Sequence, residues 1–180
     1  NVVEMIDWNM FMGFWGFKGR YPEIIYSDPE AEKCYESAIS MLDKMIVEQS
    51  VELSVCVRFF DAYSEGDEIV LDSEGVQERF EVGRYADFVP AREMGIKCAV
   101  GLFAIKVEDK QKCCDCKSYE HILREALCAR IAQAASEWLD GQISEGGRVV
   151  KPAFGYPAVP DHSLKKKAFE LLGAEEKLGL

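Results

Sequence analysis

Three stretches of this 180-residue chain combine glycine or proline with aromatic rings: Ile6-Asp7-Trp8 running into FMGFWGFKGRYP, ADFVP at 86–90, and KPAFGYPAVPDH at 151–162. In the last, Pro152, Pro157 and Pro160 fix φ and remove N–H donors, while Gly155 allows the main chain to approach a ligand with no Cβ in the way. A rigid, irregular edge of this kind can offer carbonyls and amides to a flat heterocycle. Tyr156 or Phe154 could pack against such a ring, and Lys151 could pair with a carboxylate. A small ligand carrying both charges would suit these groups. The same residues also suit a proline-rich connector between two helices, and composition alone favours the connector.

The elements that must position these segments follow from hydrophobic periodicity. Residues 29–49 open on Pro29 and place Tyr35, Ala38, Ile39, Leu42, Met45 and Ile46 at three- and four-residue steps, which predicts an amphipathic helix with Glu30 and Glu32 in its first turn. From Leu53 the pattern becomes LSVCVRFF, then EIVLD and ERFEV about the turn Ser73-Glu74-Gly75, which predicts three strands with a hairpin. KCAVGLFAIKV at 97–107 is apolar on both parities and predicts a central strand buried on both faces, with Gly101 marking a close backbone approach or a bulge. Residues 118–143 predict a long helix capped by Ser118, with Ile122, Ala126, Ala129, Ile131, Ala134, Trp138 and Leu139 on its apolar face. After Gly146-Gly147 and the Pro-rich segment comes a last helix from Ser163, its expected cap, to Leu172. Because strands are grouped and do not alternate with helices, the fold class is α+β, a mainly antiparallel twisted sheet covered by helices, in one domain over 1–180.

Composition narrows the function classes. A hydrophobic fraction of 48% with 29% charged residues is ordinary globular usage and suggests neither disorder nor a fibrous class. The net charge of −11 opposes approach to a polyphosphate backbone or an anionic lipid surface. With no apolar run near the length of a membrane span and no signal-peptide pattern, the expected location is cytoplasmic. The seven cysteines are an odd set without paired spacing, so reduced thiols are expected. Cys34, Cys56, Cys98 and Cys128 fall inside predicted helices or strands as small hydrophobes, and the CCDC cluster of Cys113, Cys114 and Cys116 reads as a solvated loop in preference to a metal site.

KPAFGYPAVPDH resembles the S-adenosylmethionine-binding segment of the activation domain of cobalamin-dependent methionine synthase, which typically reads R-P-A-P-G-Y-P-A-C-P-E-H. Pro152, Ala153, Gly155, Tyr156, Pro157, Ala158, Pro160 and His162 match it in order. Asp7-Trp8, the run from Trp15 to Pro22, GDEI at 66–69, ADFV at 86–89 and ALCARIAQAASEWL also resemble family segments, so the likeness covers nearly the whole chain. The resemblance implies a domain that binds S-adenosylmethionine, the methyl donor that remethylates cobalamin after its oxidation to cob(II)alamin and reduction by a donor such as flavodoxin. It implies that Asp7 accepts the ligand's α-ammonium, that Lys151 holds its carboxylate, and that main-chain groups around Ala153, Gly155 and Tyr156 meet the adenosine.

No acid–base residue is implied, since the domain orients a methyl donor and the cobalt centre supplies the nucleophile. The sequence departs from the family at Lys151, where arginine is usual, and at Gln133, where a ligand-side glutamate is usual. It also has a shorter connection from Leu139 to Lys151 and ends at Leu180, short of strands that carry a further ligand-contacting tyrosine. The expectation is a stand-alone reactivation subunit that docks in trans on a cobalamin-binding methionine synthase subunit. The alternative is a corrinoid-protein-binding module that has lost S-adenosylmethionine binding.

Overall fold

The computed structural model describes residues 1–73, 75–111, 118–144 and 149–180. The CCDC cluster, Glu74 and Gly146-Gly147 lie outside the described residues. The chain divides into two compact units, Asn1–Ser54 with Ile105–Gly147, and Val55–Ala104 with Arg148–Leu180.

The first unit is built mainly from helices α1 (Trp8–Phe14), α2 (Glu23–Ser27), α3 (Pro29–Val47) and α4 (Tyr119–Ile143). Helix α3 begins at Pro29 as predicted, because proline suits the first helical turn and the Asp28 carboxylate accepts from the amides of Glu30 and Ala31 at 2.9 and 3.4 Å. It buries Ala31, Cys34, Ala38, Leu42 and Met45. Helix α4 is capped by Ser118, whose Oγ accepts from the His121 amide at 3.2 Å.

The buried face of α4 holds Ala126, Ile131, Ala134 and Leu139 as predicted, but it is rotated from the predicted stripe at its other positions. Leu123 and Leu127 enter the core, whereas Ala129 and Trp138 are exposed. Alanines lie all around this helix, so periodicity alone does not single out one face, and packing against the helical turn Val2–Met5, α1 and α3 chooses it. The buried residues of α4 also include Arg124, which is only 3% exposed. Its guanidinium donates from Nε and Nη2 to the two oxygens of Asp109 at 2.7 and 2.6 Å and from Nη2 to Ser50 Oγ at 3.0 Å.

Burial acts on two thiols of this unit. It pushes Cys128 up to about 11, helped by the Asp109 carboxylate, and raises Cys34 against the lowering effect of a hydrogen bond with Tyr119. Since the thiolate is the nucleophile, both should be alkylated by iodoacetamide at pH 8 at least about tenfold more slowly than an exposed cysteine. Peptide-resolved mass spectrometry would measure this, and equal rates in the folded and unfolded protein would contradict it.

Among the described residues the sheet has four strands, β1 (Val51–Glu65), β2 (Glu68–Ser73), β3 (Val76–Glu81) and β4 (Cys98–Asp109), in the order β3-β2-β1-β4. β1 and β2 pair antiparallel up to Glu65↔Glu68, and β2 and β3 up to Ser73↔Val76, the predicted hairpin. The strands belong to the second unit except for residues 51–54 and 105–109. The fold is α+β, as the grouping of strands predicted.

β4 is a correction. It is the outer strand of the order, and within it only Leu102 and Ala104 are buried. Its unbroken apolar run reads as a two-faced central strand because alanine and glycine at 99 and 101 leave hydropathy high without needing burial. Gly101 is a close approach: a Cβ there would stand 3.0 Å from the Phe59 ring.

In the second unit Phe60, Ala62, Leu71 and Phe80 pack with Leu164, Ala168 and Leu172 of α5 (Ser163–Leu172). Arg58 Nη1 donates to the Leu171 carbonyl at 3.2 Å and Lys167 Nζ to the Arg79 carbonyl at 2.9 Å, fastening α5 to β1 and β3. Ser163 is not the cap of α5. It is the first helical residue, and its amide and hydroxyl both donate to Asp161 at 2.8 Å, because the longer carboxylate two positions earlier reaches the free amide end. After Gly173 the chain adds a short helix, α6 (Ala174–Leu178), that periodicity did not predict. Among the described residues no helix is long and apolar enough to cross a membrane, and no group of three His, Cys, Asp or Glu is placed to hold a metal ion.

Candidate functional site

The segment 152–160 is an ordered loop pinned to the core of the second unit. The Val159 amide donates to the Tyr156 carbonyl at 2.9 Å, and the Gly155 amide donates to the Val159 carbonyl at 2.8 Å, closing a compact turn. Val159 is 2% exposed, and Phe154 stacks on Phe80 with ring centroids 5.6 Å apart. Phe154 is therefore committed to the core, which leaves Tyr156, 66% exposed, as the aromatic that can meet a ligand.

Gly155 holds φ of +85°, a region that costs a side-chain-bearing residue about 1–2 kcal/mol. A Cβ on it would stand 2.5 Å from Nδ1 of His162. The backbone angle thus favours glycine at this place, and a Cβ there would also push the exposed His162 ring aside. Ala153 and Lys151 are exposed beside the turn.

ADFVP at 86–90 serves the same unit structurally. Ala86 and Val89 are buried, and Ser64 of β1 donates from its hydroxyl to the Val89 carbonyl at 2.8 Å and from its amide to the Pro90 carbonyl at 3.0 Å.

Asp7 and Gln133 belong to the first unit. Asp7 is the N-cap of α1, and its Oδ1 accepts from the amides of Asn9 and Met10 at 2.9 and 3.1 Å. Oδ2 accepts no hydrogen bond among the described residues, so the carboxylate keeps one oxygen for a cation. The aromatic stretch after it forms a scaffold. Trp8 packs edge-on against Phe11 and Tyr35 at 5.4 and 4.9 Å, and Asn9 Oδ1 accepts from the Tyr21 amide at 2.8 Å. Burial and the neighbouring Tyr21 push the Tyr35 phenol up to about 12, so it stays neutral.

Gln133 lies on α4 between two charges, accepting from Arg130 Nη1 at 2.7 Å and donating to Glu137 Oε1 at 3.3 Å. Arg130 also lines a groove of about 180 Å³ with Phe11, Phe14, Ile122 and Glu125. The candidate residues thus fall as Asp7 and Gln133 in one unit and Lys151, Ala153, Gly155 and Tyr156 in the other.

Sequence reasoning assigned no role to His162, whose ring closes over Gly155, and missed the buried Arg124. The available signals were a histidine seven residues after a glycine in a Pro-rich turn, and an arginine between Leu123 and Leu127.

The family model for the activation domain of vitamin B12 dependent methionine synthase matches residues 1–147 and 143–180. The chain belongs to this family. The activation domain is also similar to a solved structure described as the crystal structure of the MetH reactivation domain bound to AdoHcy, with a TM-score of 0.84 and 25% sequence identity. That match covers 99% of this activation domain and 68% of the solved chain.

Proposed function

We propose that this activation domain, acting as one functional domain over 1–180, binds S-adenosylmethionine as methyl donor for the reductive remethylation of cobalamin. The cobalamin is carried in trans by a methionine synthase subunit in methionine biosynthesis, with flavodoxin or another protein as electron donor. The observation that carries the reading is the pinned turn at Gly155, which holds an exposed phenol and main-chain groups in a fixed arrangement. A preorganised polar edge of this kind suits a nucleoside-containing ligand, because little ordering entropy remains to be lost on binding. The neighbouring structure's AdoHcy, the demethylated form of the same ligand, supports the class.

Asp7 presents Oδ2 to the ligand's ammonium, Lys151 a cation to its carboxylate, and Ala153, Gly155 and Tyr156 meet the adenosine. Gln133, held by Arg130 and Glu137, contributes dipoles in place of a negative charge. The bound ligand supplies an activated methyl group, and the chain's own part is to orient it and exclude water.

Isothermal titration calorimetry with S-adenosylmethionine tests the proposal. Asp7→Asn keeps a cap acceptor while removing the charge, so the thermal midpoint should stay nearly constant as affinity falls roughly 10- to 100-fold, the value of a charged hydrogen bond. Unchanged affinity in Asp7→Asn would remove Asp7 from the site. Absence of heat and of thermal stabilisation at millimolar ligand would favour the alternative, a module that docks on the corrinoid protein without S-adenosylmethionine.

A further inference from the structure

Residues 152–160 are held at three points. Two are apolar, the stack of Phe154 on Phe80 and the burial of Val159. The third is the imidazole of His162, which lies over the α-carbon of Gly155 so closely that a Cβ would stand 2.5 Å from Nδ1 and 3.2 Å from Nε2. The base of that ring is fixed in turn. His162 is the N-cap of α5, its carbonyl accepts from the Lys165 amide at 3.1 Å, and Asp161 binds the amide and hydroxyl of Ser163 at 2.8 Å each.

The consequence is geometric. Gly155 is the residue whose φ of +85° reverses the chain, and Tyr156 follows it directly. An unweighted glycine would sample both signs of φ with similar ease, and each departure would swing Tyr156 and Ala153 away from their places. The hydrogen bond from the Gly155 amide to the Val159 carbonyl at 2.8 Å restrains that freedom, and the ring of His162, itself exposed, adds a steric wall on the open side of the glycine, which is the residue that lets the ring come so near.

We infer that His162 is a positioning residue for the ligand loop: its ring, closed over Gly155, keeps residues 153–156 in the binding conformation. The role rests on the reading of this loop as the S-adenosylmethionine site. It is one of shape, so a ring without nitrogens can replace the imidazole.

Hydrogen exchange and calorimetry on the full chain test it with His162→Ala and His162→Phe. In His162→Ala the Gly155 amide, which donates to the Val159 carbonyl at 2.8 Å, should exchange at least about tenfold faster, with β2 amides unchanged as a control for folding. S-adenosylmethionine affinity should fall by about tenfold or more in the same variant, and His162→Phe should restore both quantities to within about threefold of the parent. Unchanged Gly155 exchange or unchanged affinity in His162→Ala would overturn the inference. So would a His162→Phe variant as impaired as His162→Ala, since that would make the nitrogens the active feature. If the parent protein binds no S-adenosylmethionine while the exchange pattern is as expected, the proposed function fails and the positioning of the loop by His162 stands.

Discussion

Asp109→Ala should destabilise the first unit by about 3 kcal/mol, the cost of leaving a buried charge without its partner. Arg124 is 3% exposed, and the carboxylate engages its Nε and Nη2 at 2.7 and 2.6 Å. Among the described residues the guanidinium's other hydrogen-bond partners, Ser50 Oγ at 3.0 Å and Met41 Sδ at 3.5 Å, carry no charge, and the Glu120 carboxylate acts on it only through the field, without a hydrogen bond. All three tryptophans, Trp8, Trp15 and Trp138, belong to this unit, so urea unfolding followed by tryptophan fluorescence reads it selectively. Adding Arg124→Met to Asp109→Ala should recover most of the loss, because removing both charges also removes the desolvation cost. A loss below about 1 kcal/mol in the single variant would mean that water reaches the guanidinium.

The same pair sets an acid limit. Burial raises the Asp109 carboxyl, but the Arg124 hydrogen bonds and the Gln111 amide outweigh it, and the folded-state value lies below the ordinary one. A carboxyl depressed on folding contributes stability that is fully present above its unfolded value of about 3.9 and is lost as pH falls through the folded value. Fluorescence-detected stability should therefore fall below about pH 4, and the Asp109→Ala/Arg124→Met variant should lose less over that window.

Gly155→Ala should lower S-adenosylmethionine affinity by roughly 30-fold or more. Alanine at φ of +85° costs about 1–2 kcal/mol, and its Cβ must also displace the His162 ring. The loop then relaxes to negative φ and carries Tyr156 with it. Because the change is confined to the second unit, the tryptophan-detected unfolding of the first should not move. Calorimetry on the variant checks the first expectation and the urea curve the second. Affinity within threefold of the parent would show that the ligand does not depend on this turn.

Much of the fold was legible because local rules and tertiary demands agree. Asp28-Pro29 starts α3 and Ser118 starts α4 where capping chemistry places them, and the alternation in EIVLD and ERFEV fixes the β2–β3 hairpin. The departures occur where one residue type serves two situations. Alanine-rich α4 offers no single apolar face, and the small residues of β4 make an outer strand look like an inner one. Asp161 rather than Ser163 satisfies the start of α5, since a side chain's reach depends on the backbone angle before the helix.

For the candidate site, the sequence by itself determined the family, because an ordered series of glycine, tyrosine and prolines in KPAFGYPAVPDH survives without any coordinates. The resemblance also pointed to Gly155 and Tyr156, but the chemistry of the residues alone left Tyr156 and Phe154 as equal candidates to pack against a ring. Tertiary structure decided that. Phe154 finds Phe80 across the core and is spent there, whereas Tyr156 has no such partner and stays exposed. It decided too that Gly155 lies beneath His162 and that Arg124 lies against Asp109. Contacts of this kind depend on the distance between chain segments after folding, which residue type and periodicity do not encode.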